Sequence, residues 1–596
     1  MTENKEQPKI YEIDIDIVQF WKKSVSPWQK DTLIIIALLL TNPIIWGYQF
    51  PFKLFPDSAL YLTLARDMLS TGSLYLESWG HIDTNIVAPP LFPGILALSK
   101  LIFSNSILAG KWVNAACMIL AAVPIYFFVK NFSDRIFAAM TVALFQFNLG
   151  NIYFASYILT EPIFLLLLLT SLLLATHILL KNKNQVLNAT YLGLLVAMLF
   201  LVRQAGITLL AFIVLYFSIL ALRSESDTRR VLFRVVAVIT GTWILIVSIY
   251  AIVLYQQTGV SPFHQVFRAN NYAVTITDEK ILAQIKGISS VTDTNYDDIY
   301  RKRRDLRRLL PDGTEMYSHV LDASGKQVAD PPESEANLLW RSIKRLFSPD
   351  NLLQNFISNL LHLRIFLGWT LLILVAASFF TPLVFKDRTS ELRARLLIPG
   401  FIITYVFAIS ILTSAVDRYI AVLYPLALVQ LVIEIAIVFR IFRDRIKSTS
   451  VRSGIALALF SIMFLLMPLK FYKSGTNPRS TISIDSWSAF SKYISEGEPI
   501  FTIAPAYSYL AGGKFRILPN DSLDKIVKYA HHTGVKWLLV PKRPQLLRET
   551  SHYDSAKWLL DQQKLRNHPS IIQLRHEQGD ARAVSGIEHV LYEIMP

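Results

Sequence analysis

At 596 residues, 53% of them hydrophobic, the chain is too apolar to fold as a soluble globule. Runs of about 20 apolar residues, the length that crosses a bilayer, recur along it. The net charge of +15 is therefore attributed to cytoplasmic loops and membrane-facing segments, and no nucleic-acid partner is expected. The single cysteine, Cys117, excludes an intramolecular disulfide and a cysteine metal site.

The apolar runs predict an α-helical polytopic membrane protein with about eleven transmembrane helices. The predicted spans are 32–49, 107–129, 136–154, 158–180, 186–202, 205–222, 231–255, 361–385, 396–414, 419–439 and 453–470. Because the residues before the first span are polar and charged, that span is expected to be an uncleaved signal anchor.

Basic residues concentrate in one set of the short connecting loops, and the opposite loops hold little beyond Arg203 and Arg418. The basic set comprises Lys130, Arg135, Lys181, Lys183, Arg223, Arg229, Arg230, Lys386, Arg388, Arg393, Arg395, Arg440, Arg443, Arg445 and Lys447. The positive-inside rule places this set in the cytoplasm. We therefore expect a multi-pass protein of the cytoplasmic (inner) membrane, with its N-terminus inside and its C-terminus outside.

Two long extracytoplasmic loops interrupt the predicted membrane domain, 1–471. In the first, 50–106, the short apolar stretch from Pro89 to Phe103 predicts a juxtamembrane or re-entrant helix. The second, 257–360, has a polar centre between the basic amphipathic stretches RKRRDLRRLL and LLWRSIKRLFSP. These stretches are expected to lie on membrane lipids or to recruit an anionic acceptor.

The tail, 472–596, predicts a small extracytoplasmic α/β domain. Its segments EPIFTIAP, VKWLLVPK and HVLYEIMP have the pattern of short strands, and SLDKIVKYAHHTG has helical spacing. The chain shows no internal repeat, which argues against the inverted-repeat transporters.

Asp57 is the first candidate for chemistry, because it lies just beyond the first span and opens the amphipathic segment FPDSALYLTLARDMLSTGSLY. Pro-Asp-Ser-Ala before an apolar-periodic run is also an ordinary helix N-cap, worth about 1 kcal/mol. The functional interpretation is a general base that takes a proton from an acceptor hydroxyl at the membrane surface. Tyr61 lies one turn later on the same helix face.

Arg203 and Arg418 are predicted to end spans on the extracytoplasmic side, where a guanidinium suits a phosphate oxygen. The alternatives are interfacial snorkelling, or an ion pair with Asp417 or Glu161. Glu161 itself begins a span, where a carboxylate can cap the helix N-terminus. The remaining candidates for substrate binding are Tyr419, beside Arg418, and His264, a candidate ligand for an acceptor or a metal.

Several of these segments, in this order and on one predicted side of the membrane, resemble the GT-C class of membrane glycosyltransferases. The resemblance rests on PDSALYLTLARDMLSTGSLY, APPLFPGILALSKLIF, FASYILTEPIFLLLLL, LFLVRQAG, DRYIAVLYPLAL and the tail pattern WSAFSKYI…EPIFTIAPAYSYLAGG. It is greatest to the bacterial branches related to lipid A aminoarabinose transferases and protein O-mannosyltransferases.

The resemblance implies that Asp57 is the catalytic base and that Glu161 shares its cavity. It also implies a polyprenyl-phosphate sugar donor, with a lipid, glycan or protein as acceptor. Two departures argue against aminoarabinose transfer in particular. Val87 and Ala88 replace an acidic-basic pair whose lysine is proposed to hold the donor phosphate, and Ser58 stands where a second acid is common.

The sequence thus predicts an inverting glycosyltransferase that needs no cofactor, with a metal not indicated because no strong ligand cluster is visible. A transporter or flippase for lipid-linked sugar is one alternative, and Glu434 and His177 are its few candidate mid-membrane ionisable residues. A polysaccharide polymerase or ligase is another, although it has no need of Asp57 near the first span.

Overall fold

A computed structural model gives the structure of the chain. The residues that it describes are 26–47, 54–74, 88–103, 105–180, 184–258, 308–309, 316–317, 349–384, 389–412, 420–443, 454–455, 458, 460–463, 465, 490–502, 505–519, 522–541, 565, 567–573 and 589–595.

Helices dominate the described residues up to 443. In chain order they are α1 (Pro27–Leu40), α2 (Pro56–Thr71), α3 (Leu91–Ile102), α4 (Ser106–Leu120), α5 (Ala122–Lys130), α6 (Arg135–Gln146), α7 (Leu149–Ala155), α8 (Glu161–Leu180), α9 (Gln185–Val202), α10 (Ile207–Leu222), α11 (Ser226–Thr258), α12 (Pro349–His362), α13 (Arg364–Val384), α14 (Thr389–Arg395), α15 (Leu397–Leu412) and α16 (Tyr424–Arg443).

The described residues also contain strands and two further α-helices. They are β1 (Arg308–Leu309), β2 (Met316–Tyr317), β3 (Pro499–Thr502), α17 (Pro505–Leu510), β4 (Lys514–Ile517), α18 (Leu523–Thr533), β5 (Trp537–Pro541), β6 (Ile571–Gln573) and β7 (His589–Ile594).

Within the described residues, seven helical stretches are long and apolar enough to cross a membrane. They are Ser106–Lys130, Glu161–Leu180, Gln185–Val202, Gln204–Leu222, Ser226–Gln257, Glu391–Ser410 and Tyr424–Ile441, each at a predicted span. The chain is therefore a multi-pass membrane protein. The count of eleven stays a prediction, because part of each of the spans 32–49, 361–385 and 453–470 lies outside the described residues.

The predicted span 136–154 is not one straight helix. It consists of α6 and α7, which meet at an angle of 60°, and together they would raise the number of spans to eight. Asn148 produces the break, since its side-chain oxygen accepts hydrogen bonds from the amides of Gly150 and Asn151 and so starts a new helix.

Helix α1 begins earlier than predicted, because Ser26 and Gln29 form a capping box and Pro27 occupies the first helical position. One turn later Asp31 is buried and binds the turn between α5 and α6. Arg135 Nε donates to it at 2.7 Å, and Lys130 forms a second ion pair. The N-terminal end of α1 therefore lies on the same side as a basic loop.

A second buried ion pair joins α14 to α16. Arg395 and Glu434 are both inaccessible to solvent, and Gln430 Nε2 donates to the same carboxylate at 2.8 Å. The desolvation of each charge is thus offset by its partner, which makes Glu434 a packing element between helices.

The strands of the tail form a five-stranded sheet in the order β4-β3-β5-β7-β6. β3 is parallel to β4 and β5, whereas β7 runs antiparallel to β5 and β6. Strands form in the three predicted segments and α18 forms in the predicted helix, but β4 and β6 were not anticipated. The predicted domain boundary at 471/472 lies outside the described residues.

The two faces of this sheet have different partners. Phe501 and Leu538 pack with α18, while Ile500 and Trp537 belong to the same core as the membrane helices. Helix α17, between β3 and β4, contacts α2. The tail therefore lies on the same side of the membrane as the first loop.

Little of the predicted loop 257–360 falls within the described residues. Its strands β1 and β2 pair antiparallel, with Arg308 opposite Tyr317, and β1 lies beside α18. The two basic amphipathic stretches lie outside the described residues, apart from Arg308, Leu309 and Pro349.

The positions of these elements predict a sidedness that thiol labelling can check. In a Cys117→Ala background, Lys528→Cys on the exposed face of α18 should react with a membrane-impermeant maleimide in intact cells. Asp227→Cys, exposed at the start of α11, should react only after permeabilisation. The reverse pattern would place the N-terminus outside and contradict the positive-inside assignment.

Candidate active site

Asp57 lies in the first turn of α2 and is partly buried. The N-cap of this helix is Phe55 and Pro56 follows it, so Asp57 is the second helical residue. The interpretation of Asp57 as the N-cap is therefore wrong, because proline takes the first helical position. Its carboxylate instead lies in the first turn, near the backbone amides of the helix N-terminus.

Aromatic contacts hold both sides of the Asp57 turn. Tyr61 meets Phe92 of α3 edge to face, with ring centroids 5.2 Å apart. Phe55 meets Tyr157 in the same way at 5.1 Å. Since Tyr157 lies four residues before Glu161, this second contact brings together the chain segments that carry the two predicted acids.

The other end of α2 is also fixed. The helix ends at Gly72, whose φ of 70° suits glycine, and Gln257 at the end of α11 binds this turn. Gln257 Nε2 donates to the Gly72 carbonyl at 3.2 Å, and its Oε1 accepts from the Leu74 amide at 2.9 Å. Between the two ends, Arg66 Nη1 donates to the Gly512 carbonyl of the tail at 3.4 Å.

Glu161 and Arg203 form an ion pair. Arg203 Nη1 lies 3.0 Å from Glu161 Oε1, and the two side chains are 14% and 4% exposed. Arg203 thus forms the ion pair with Glu161 that was one of its alternatives, while its role as a phosphate ligand stays a prediction. The second carboxylate oxygen, Oε2, is buried and accepts no hydrogen bond from the described residues.

Asn114 is a site residue that sequence reasoning missed. It is fully buried on α4, and its side-chain amide donates to the carbonyls of Tyr157 and Leu159, just before Glu161. The signal was present in the sequence, because Asn114 is the one side-chain amide of the predicted span 107–129.

Three predicted binding residues, Arg418, Tyr419 and His264, lie outside the described residues. Among the residues that are described, no three His, Cys, Asp or Glu side chains come together as a metal site.

A protein-family model matches part of the chain. Residues 87–254 match the model of the family described as dolichyl-phosphate-mannose-protein mannosyltransferase. This segment includes Asn114, Glu161 and Arg203 but not Asp57. No curated protein sequence matches the chain significantly.

Solved structures extend the comparison over most of the chain. The archaeal oligosaccharyltransferase AglB from Archaeoglobus fulgidus, in complex with an inhibitory peptide and a dolichol-phosphate, superposes with a TM-score of 0.53. It is 11% identical, over 89% of this chain and 72% of AglB. The chain has the GT-C fold. The resemblance identified in the sequence is thereby confirmed.

Two further structures of GT-C proteins are similar. The Archaeoglobus fulgidus oligosaccharyltransferase in complex with zinc and sulfate gives a TM-score of 0.52 at 12% identity, over 88% of this chain and 69% of that one. ArnT from Cupriavidus metallidurans gives 0.44 at 10% identity, over 95% of this chain and 98% of ArnT.

The ion pair makes a prediction about stability. Arg203→Leu leaves Glu161 buried without its cation, so the free energy of unfolding should fall by about 3 kcal/mol. The double variant Arg203→Leu/Glu161→Gln removes both charges and should recover part of this loss. Denaturant unfolding in detergent measures both variants; equal losses in the single and double variants would contradict the pairing.

Proposed function

We propose that this GT-C protein transfers a sugar from a polyprenyl-phosphate donor to an acceptor hydroxyl at the outer face of the cytoplasmic membrane. The observation that carries the proposal is the contact between Phe55 and Tyr157, which joins the Asp57 turn to the segment leading into Glu161. Two carboxylates on one side of a GT-C fold suit acid-base chemistry on a sugar. The family match to dolichyl-phosphate-mannose enzymes supports a lipid-phosphate donor.

Asp57 is the proposed general base. It would accept the proton of the acceptor hydroxyl while that oxygen attacks the anomeric carbon from the face opposite the phosphate. The bond from the anomeric carbon to the phosphate oxygen breaks in the same step, and polyprenyl phosphate leaves. A single displacement inverts the anomeric centre and forms no covalent enzyme intermediate.

Negative charge on the departing phosphate needs a cation in a site of lower dielectric than water. Arg203 already donates to Glu161, so its positive charge is partly balanced by that carboxylate. We therefore rank Arg418 ahead of Arg203 as the phosphate ligand. Arginine can balance a lipid monophosphate directly, and on this proposal neither a metal nor another cofactor is needed.

The flippase alternative loses Glu434, its strongest candidate for an ionisable residue near mid-membrane. A transporter places ionisable groups near mid-membrane to couple movement to charge. Glu434 is instead held in a buried ion pair with Arg395, and His177 lies in the last turn of α8, away from the middle of the helix. These positions favour an enzyme.

A lipid, a glycan or a protein can each supply the attacking hydroxyl. The peptide complex of AglB concerns a relative of very low identity, so it supports only the general kind of acceptor. On this proposal the tail and the loop 257–360 face the acceptor outside the cell.

Removal of the base predicts a large kinetic effect. Asp57→Asn keeps the shape of the side chain but not its basicity, so transfer from radiolabelled polyprenyl-phosphate sugar should fall about 10²–10⁴-fold. Asp67→Asn, on the same helix, is the matched control and should stay near wild type.

Both variants are compared with wild type at equal expression, with thermal unfolding as a check on folding. Undiminished transfer by Asp57→Asn would move the base to Glu161. Movement of lipid-linked sugar across the bilayer, without transfer by any of the three proteins, would favour the flippase.

A further inference from the structure

The chain between α7 and α8 is an irregular segment inside the protein. Residues 156–160 are all buried, yet they belong to neither helix. Buried backbone without regular hydrogen bonding needs other partners, because water is not at hand to supply them. The hydrogen-bond partners of these peptide groups therefore determine the position of the segment.

Asn114 supplies two of those bonds. Its Nδ2 donates at 2.5 Å to the Tyr157 carbonyl and at 2.8 Å to the Leu159 carbonyl. Its Oδ1 is buried and accepts no hydrogen bond from the described residues. Both N–H groups of one amide thus fix the backbone on either side of Ile158.

Gly110, one helical turn before Asn114, completes the fit. A Cβ atom at this position would lie 3.0 Å from Ile158 Cδ1 and 3.1 Å from Cγ1 and Cγ2. These distances are tighter than most Cβ contacts, so a side chain at residue 110 would displace Ile158 by a few tenths of an ångström. Gly110 and Asn114 therefore fix the position of the segment, the first by packing and the second by hydrogen bonds.

The segment ends at Glu161, the first residue of α8, and its Tyr157 ring contacts Phe55 beside the Asp57 turn. A displacement of residues 157–159 would thus move Glu161 relative to Asp57. The Oε2 of Glu161 is buried and accepts no hydrogen bond from the described residues, so a displacement of the segment would change the surroundings of a carboxylate oxygen that is not held by a second bond.

We propose that Gly110 and Asn114 are positioning residues, which set the place of Glu161 relative to Asp57 in the transfer reaction. The inference rests on the proposed function. Neither residue touches the substrate, and both act through the backbone of residues 157–159. A purely structural role would lower the stability of a Gly110 variant. A positioning role predicts instead a lower kcat at unchanged stability.

Gly110→Ala is the sharpest test. The new methyl group should push Ile158 by a few tenths of an ångström, while alanine favours the helix over glycine. The expected result is a fall in kcat of about tenfold, with donor KM within about twofold of wild type. The unfolding temperature should stay equal or rise. Gly241→Ala is the matched control, because Gly241 is a helical glycine with open space at its Cβ position.

The same substitution in a Glu161→Gln background identifies the residue through which it acts. If Gly110 works through Glu161, adding Gly110→Ala to Glu161→Gln should reduce kcat little further. Asn114→Leu, which keeps the volume but removes both donors, should show the same non-additivity if it folds. Equal losses in both backgrounds, or full activity of Gly110→Ala, would overturn the inference.

Failure of the proposed function gives a different pattern. Transfer by wild type and Gly241→Ala establishes the activity in the same assay, so a loss confined to the α4 variants reports on positioning. Absence of transfer by wild type would overturn both the function and the inference that rests on it.

Discussion

Polar groups inside the apolar helical bundle have little access to water, so a partner within the protein stabilises those that find one. Asn114 bonds the peptide carbonyls before α8, Arg203 pairs with Glu161, and Arg395 pairs with Glu434. The first two serve the candidate site and the third joins two helices. In the candidate site, Asn114 and Arg203 are hydrogen-bond donors to buried oxygens, and the same bonds fix the geometry of the site.

This constraint explains why the site lies where regular helices stop. A continuous helix satisfies its own backbone and offers little opportunity for a precisely placed carboxylate. At residues 156–160 the helical bonding is interrupted, and cross-helix partners replace it. Asp57 similarly occupies a helix start. Both candidate acids thus lie at helix starts whose positions are fixed by contacts with neighbouring segments.

Hydrophobic periodicity was sufficient to predict the membrane helices and the strands β3, β5 and β7. It did not show the bend between α6 and α7, because the run is apolar throughout and Asn148 alone breaks it. It missed β4, whose Lys514 and Arg516 give a weakly hydrophobic edge strand.

Within the site, the sequence indicated both acids and Arg203. It left the partner of Arg203 open and missed the role of Asn114, since contacts between residues far apart in sequence leave no local pattern. The side-chain amide of Asn114 within a largely apolar span is nevertheless visible in the sequence. Pro56 prefers the first helical position, which makes Phe55 the N-cap. Asp57 therefore lies inside the first turn and does not cap the helix.

The amide clamp of Gln257 on the end of α2 has an evolutionary consequence. The two long loops leave the bundle next to each other, one after Leu74 and the other after α11. Insertions or replacements in either loop begin beyond this clamp, so they need not displace Asp57. Sequence changes in these loops can therefore alter the molecules that the loops meet while the end of α2 stays held by Gln257.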